Sequence, residues 1–304
     1  MAKIGFLALA AQWFWDTNMS DSAMTREVQS QIGKIEAGIS VSHELISAGL
    51  VTTEDSARSA AARFREADVD VLVACCVMWS EDQPLLRVLE EMRDTPLLLW
   101  CWTPGTSLPE SLTALDLTKW SGPVGAQQIS GALRRSGRKF TFVIGNHNEK
   151  KTIREIQEFV AAAAVARSLR HTRVGLLPYR YYVMPNTWVD EFDLMSKIGI
   201  DVIYVSVGEL ASAAGLVKDA EVRSYIDGLK GMHVSPQVSS KGLSEAARIS
   251  LGLAKIVKDR RLDAVSIGDC NDELHAVLKC RPCLYLPSVF ERGVVVGSEG
   301  DLGG

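Results

Sequence analysis

The last hydrophobic run of the chain, Val294 to Val296, leads into a glycine-rich turn that carries Glu299 and Asp301. Three consecutive β-branched residues predict a short buried strand. In an open α/β sheet, ligands sit beyond the carboxyl ends of the strands, so acids at such an end are placed to meet a metal or a substrate. A second polar stretch, Asp269 to Glu273 with Asn271 at its centre, follows another apolar run. Carboxylates in this setting suit a hard divalent cation or a polar substrate. The plain alternative is a surface turn, where glycine and aspartate are common.

Other residue types carry weaker signals. Of the six cysteines, Cys75, Cys76 and Cys101 lie inside apolar runs and read as small hydrophobes. Cys280 and Cys283 form a single C-x-x-C, and no second pair completes a structural zinc set. The cysteines read as reduced, structural thiols of a cytoplasmic protein. The histidines show no H-x-x-x-H or H-E-x-x-H spacing, and His147, on a strand-end loop, is the best placed of them. G-x-G-x-x-G, G-x-x-x-x-G-K-[ST] and G-x-S-x-G are all absent, which removes the usual dinucleotide, P-loop and hydrolase signatures.

The elements that must hold these groups alternate. Apolar runs at Lys3–Ala10, Val41–Ser47, Val69–Met78, Pro96–Trp102 and Phe140–Ile144 read as strands. Helical patterns lie between them. One is capped by Ser20 or Ser22 and runs to Ile39. Another follows a capping box at Thr52 and Asp55, a third opens at Pro84, and others cover Val124–Arg135 and Glu149–Arg170. Gln12–Met19 reads as an aromatic loop and 103–122 as a long irregular link. A new unit starts near Thr172, with strands Arg173–Leu177, Asp201–Val207 and Asp263–Ile267. Its helices are Trp188–Ile198, closed by Gly199, then Leu243–Arg260 and Leu284–Phe290, with 208–242 mixed. Alternating strands and helices predict an α/β fold: two consecutive Rossmann-like, doubly wound domains with mainly parallel sheets, 1–171 and 172–304. Strand ends would then gather Gln12, Asn146 to Asn148, Tyr179 to Tyr182, Asp269 to Glu273, Glu299 and Asp301.

Composition limits the partners. At 304 residues, 47% hydrophobic and 23% charged, the chain has material for two cores. Its net charge of −4, with lysine and arginine dispersed, gives no basic stripe for nucleic acid. No apolar run is long enough for a membrane span, and the N-terminal run reads as a first strand rather than a signal peptide.

Several segments, taken in order, resemble one family. They are Arg138-Lys-Phe-Thr-Phe-Val-Ile-Gly145 with the alanine-rich helix after it, Arg173-Val-Gly-Leu-Leu177 and Asp190-Glu-Phe-Asp-Leu194. Ile198-Gly-Ile-Asp-Val202, Leu262-Asp-Ala-Val-Ser-Ile267, Pro282-Cys-Leu284 and the Gly-x-x-x-x-x-Glu-Gly-Asp block ending at Asp301 complete the set. The ordered set resembles the N-terminal two domains of the L-fucose/L-arabinose isomerase family. The resemblance implies aldose–ketose isomerisation of a small sugar, a divalent metal (most often Mn2+) and a cytoplasmic homo-oligomer. It also implies that Glu299 binds the metal and moves the proton. Gln12, Tyr181 and Asn271, with Asp269 nearby, match substrate-contacting positions. The Tyr179-Arg-Tyr-Tyr182 run and the Lys119-Trp120 region depart from the arabinose isomerase pattern and leave the sugar open.

The family's remaining metal ligands, a second acid and a histidine, belong to a further C-terminal part. The expectation is therefore a fragment or truncated member with an incomplete metal site and little activity alone. Two readings from other classes stand beside the enzyme. A non-catalytic sugar-binding module would bind sugar regardless of chelator or Glu299→Gln. An assembly subunit would gain activity only on mixing with the partner chain that completes it.

Overall fold

The computed structural model describes residues 1–13, 23–229, 234–280, 289–290 and 292–303. The chain divides into two compact units, Met1–Arg167 and Ser168–Gly304. The division falls in the last turn of the helix Lys150–Leu169, slightly before the expected 171/172 boundary. That helix buries Ile156, Val160 and Ala163 in the first unit, which keeps most of it there.

The first unit is a five-stranded parallel sheet. Its strands are β1 (Lys3–Leu9), β2 (Glu44–Val51), β3 (Val71–Cys76), β4 (Leu97–Trp102) and β5 (Thr141–Gly145), in the order β2-β1-β3-β4-β5. Every residue of β3 and β4 is buried, as expected of parallel strands covered on both faces. The two-residue period separates the covers. Ile4, Phe6, Val71, Val73, Leu98 and Trp100 pack with Ile32, Ile35, Ile156 and Val160 from two helices. On the other face, Leu7, Leu72, Ala74, Leu97 and Leu99 pack with Phe64, Leu85, Val88 and Ile129.

The helix Gly122–Arg135 starts hard against two strand ends. A Cβ at Gly122 would stand 2.6 Å from the Cys76 carbonyl oxygen and 2.7 Å from that of Trp102, both fixed backbone atoms. A glycine is what lets the helix approach this closely.

The second unit repeats the plan with four parallel strands: β6 (Arg173–Leu177), β7 (Asp201–Tyr204), β8 (Ala264–Ile267) and β9 (Val295–Ser298), ordered β7-β6-β8-β9. One face is closed by the helices Val207–Gly215 and Ser240–Asp259, whose Leu210, Ile249, Leu253 and Ile256 cover Leu177, Val265 and Ile267. The opposite face carries exposed Tyr204 and Val295. An α/β fold with mainly parallel, Rossmann-like sheets is therefore present in both units. No helix among the described residues is long and apolar enough to cross a membrane.

Several boundaries differ from the sequence expectation, each for a local reason. β2 begins at Glu44, not Val41, because a turn occupies 41–42 after the preceding helix. The capping box is Thr53 with Ser56, one residue later than Thr52 with Asp55: Thr53 Oγ1 accepts the Ser56 N–H at 3.1 Å and Ser56 Oγ accepts the Thr53 N–H at 3.0 Å. β7 stops at Tyr204 because Ser206 caps the next helix, accepting the Glu209 N–H. The expected helix at Trp188 starts only at Glu191, where Asp190 caps it, and its last turn, Leu194–Ile198, is π-helical before Gly199. The link 103–122 contains a short helix, Ala114–Lys119, held by a Thr113–Asp116 capping box. β9 is an edge strand with Val295 65% exposed, not a buried one. The Ser20 and Ser22 caps, most of the Gln12–Met19 loop, Pro282, Cys283 and most of the Leu284–Phe290 helix lie outside the described residues.

Two glycines of one helix test this packing. Gly122→Ala is expected to destabilise the fold by about 1–3 kcal/mol, because backbone cannot yield to the new methyl. Gly131→Ala meets nothing within 4 Å and should stabilise by roughly 0.5–1 kcal/mol. Denaturant midpoints of the two variants should move in opposite directions.

Candidate metal centre

The site is built where three neighbouring strands of the second unit end level. Leu177 pairs with Ile267, and Ile267 pairs with Ser298. The residues after each of these three therefore leave the sheet side by side. The order reversal between β6 and β8 opens the crevice there, as at other switch points of parallel sheets.

After β9 the chain turns through Glu299 (φ 62°) and Gly300 (φ 67°), closed by the Asp301 N–H on the Ser298 carbonyl at 3.1 Å. Two successive positive φ values are the pattern of a type I′ turn. Gly300 suits it, and a Cβ there would press on the Tyr179 carbonyl at 3.2 Å. Glu299 does not, since a left-handed residue with a Cβ costs about 1–2 kcal/mol.

After β8, Gly268 leads into Asp269, Cys270 and Asn271. Asn271 is buried and caps a short helix, Asp272–Leu278: its Oδ1 accepts the Glu273 and Leu274 N–H groups at 2.9 and 3.3 Å. His275, one turn on, holds the Asp269 carbonyl oxygen through Nε2 at 2.7 Å. The loop carrying Asp269 and Cys270 is thus pinned from two sides.

Across the strands, Cys270 Sγ donates to Glu299 Oε1 at 3.4 Å, and the Glu299 N–H reaches Asp269 Oδ1 at 3.4 Å. Ligand atoms of Asp269, Cys270 and Glu299 all lie within 4.8 Å of one another, close enough to share one ion. The other carboxylate oxygen, Glu299 Oε2, is shielded from solvent and has no hydrogen-bond partner. A buried carboxylate oxygen without a donor is costly unless a cation meets it. On that ground the residues present fit a divalent cation. The carboxylates suit Mn2+, and the thiol is a softer donor than that ion prefers.

The third strand exit, after β6, passes the cis Leu177–Pro178 peptide into the tyrosine run. Tyr179 donates its hydroxyl to Glu273 at 2.9 Å, and Arg180 is paired with Glu191 at 2.8 Å. Desolvation, then the nearby Asp272, Tyr182, Cys270 and Glu299, push the Tyr181 phenol up. It stays protonated and able to donate.

Of the expected site residues, the structure brings Glu299, Tyr181 and Asn271 to one set of strand exits, with the Asn271 carbonyl oxygen committed to its cap. Gln12 belongs to the first unit, exposed after β1, with its N–H on Glu81 Oε2 at 3.3 Å. In that unit His147 is stacked on Trp102 at 6.1 Å and accepts the indole N–H on Nδ1. Desolvation, then Lys34, hold its imidazole below the usual range, in the neutral form that can accept. Asn146 is buried, bonded to the Thr103 carbonyl and the Asn148 N–H. Cys270 was not legible as a site residue. Its partner Glu299 is 29 positions away, and only strand pairing joins them.

The left-handed Glu299 gives a direct test of a residue kept for its chemistry. Glu299→Gly should leave thermal stability unchanged or raise it by up to about 1 kcal/mol, despite removing a partly buried side chain. A clear loss of stability would mean that the carboxylate holds the turn together.

No family model matches the chain. It is 23% identical over 245 residues to the L-arabinose isomerase of Thermotoga petrophila, covering 78% of this chain and 49% of that protein. To the sulfoquinovose isomerase of Priestia aryabhattai it is 20% identical over 240 residues, covering 78% of this chain and 51% of the relative. The chain spans about half the length of the curated relatives it matches. These similarities, low in identity and spread over most of the chain, support a sugar-isomerase family and do not single out one sugar.

Proposed function

We propose that this chain carries the cation-binding glutamate of an aldose–ketose sugar isomerase. The observation that carries the reading is Glu299 Oε2, shielded from solvent and unpartnered, beside Asp269 and Cys270 at the strand exits of the second unit.

An aldose and its ketose differ by a proton moved from C2 to C1 and another moved from O2 to O1. The first transfer needs a carboxylate within reach of the carbon-bound proton. Glu299 takes the proton from C2 and returns it to C1. Tyr181, held protonated, donates to a sugar hydroxyl and passes the second proton between the two oxygens. Asp269 joins Glu299 in holding a divalent ion, with Mn2+ the expectation from the resemblance. Such an ion, when bound, would offset negative charge on the sugar oxygens. Asn271 offers its carboxamide nitrogen to the sugar. We place the enzyme in a homo-oligomer.

The test is exchange in deuterium oxide, using the protein purified at its native length with added Mn2+. Arabinose, fucose and sulfoquinovose are the first substrates. The reading expects solvent deuterium at C2 of one of these aldoses and a matching ketose. Glu299→Gln should lower the exchange by about 10²–10⁴-fold, the usual worth of a positioned base. Exchange that survives Glu299→Gln, or no exchange with any of the three, would overturn it.

A further inference from the structure

We propose that a second copy of this chain docks on the short helix 191–198 of the second unit and on the aromatic residues beside it. The inference gives a surface to the homo-oligomer placed above and stands apart from the reading of Glu299.

The helix is apolar on its outer side. Leu194 is its inward residue and is buried. Phe192 and Met195 face solvent, 70% and 51% exposed, and Trp188, just before the helix, is 47% exposed. These three stand at i, i+4 and i+7, the spacing of an apolar helix stripe that is covered by something. A helix that only covers its own sheet carries polar residues on that outer side.

The patch continues on both flanks. The Trp188 indole N–H donates to the Tyr181 carbonyl oxygen at 2.9 Å, and the next residue, Tyr182, is 76% exposed. Val183 after it is half exposed. On the other flank the Tyr204 hydroxyl donates to Glu191 at 3.0 Å, which sets this 54% exposed ring beside the helix. Six side chains of this size at these exposures present on the order of 800 Å². A standard interface takes about 800 Å² from each partner, and a contiguous apolar patch of that extent marks an interaction surface.

Charge selects a second copy as the occupant. The helix opens on Asp190, Glu191 and Asp193 and closes on Lys197. Packed antiparallel about a two-fold axis, Lys197 of each copy meets Asp193 of the other, and the two helix dipoles oppose. Asp193 and Lys197 pair at 2.6 Å within the helix, and both stay exposed enough to reach across. One lysine among three acids offers nothing to nucleic acid or to an anionic membrane.

The experiment is analytical sedimentation of the 304-residue chain over the micromolar range. Circular dichroism checks that each variant is folded. The proposal expects a monomer–dimer equilibrium. Phe192→Glu and Met195→Glu should each weaken the dimer by about thirtyfold or more, the weight of a central anchor. Leu216, exposed at the end of the helix Val207–Gly215, is the control, and Leu216→Glu should leave the dimer as it is. Asp193→Lys and Lys197→Asp should each weaken the dimer roughly tenfold, and the double variant should recover it. A chain that stays monomeric, or a dimer indifferent to Phe192→Glu, would overturn the proposal. Failure of the double variant to recover would overturn the two-fold pairing. Glu299 is tested separately, by the deuterium exchange.

Discussion

The parallel register of β6, β8 and β9 is the constraint on which the site depends. Parallel strands must all run out at the same edge, and here the pairings of Leu177 with Ile267 and of Ile267 with Ser298 make them run out level. Residues far apart in sequence are delivered to one place by backbone hydrogen bonds alone. The side chains then need only the caps and turns that follow each strand. Asn271 fixes one exit and the Glu299–Gly300 turn fixes another. The strain at Glu299 is sustained because the ladder, the Asp301 bond to Ser298 and the neighbouring tyrosine backbone leave the turn no other course.

Both units use the same strand order, with the reversal between the first and third strands of each. Their strand exits are furnished differently. In the first unit, among the described residues, Trp79 is tied to Ser121 and Gln128, Gln128 to Asp82, and His147 to Trp102, while the buried Ser80 hydroxyl has no partner. In the second unit the carboxylates face a thiol and one another, and one buried oxygen is left without a partner. The same scaffold thus carries aromatic and amide side chains at one set of strand exits and carboxylates with a thiol at the other. That contrast follows from the residues after the strands, not from the strands.

The strongly apolar strands were legible in the sequence. β1, β3 and β4 carry unbroken apolar runs, and a sheet buried on both faces writes itself that way. The position of Glu299 after a strand was legible too, from the apolar run before it, although a glycine-rich surface turn reads the same way on local evidence. The helix Asp272–Leu278 was not, since seven residues opening on two acids show no apolar period and the cap at Asn271 looks like a loop. Val295 reads as buried from its type but lies on the outer face of an edge strand, which only the strand order reveals. Cys270 was invisible for the same kind of reason. A single cysteine carries no spacing, and its meaning comes from a carboxylate brought beside it by pairing.

The central claim is that the Glu299 carboxylate is a cation ligand at the strand exits of the second unit. Anomalous diffraction from crystals of the chain grown with Mn2+ or Co2+ tests it most directly. The account predicts one strong anomalous peak about 2.0–2.3 Å from a Glu299 carboxylate oxygen, within reach of Asp269. A peak elsewhere, or crystals with Glu299 ordered as here and no ion beside it at saturating metal, would contradict it.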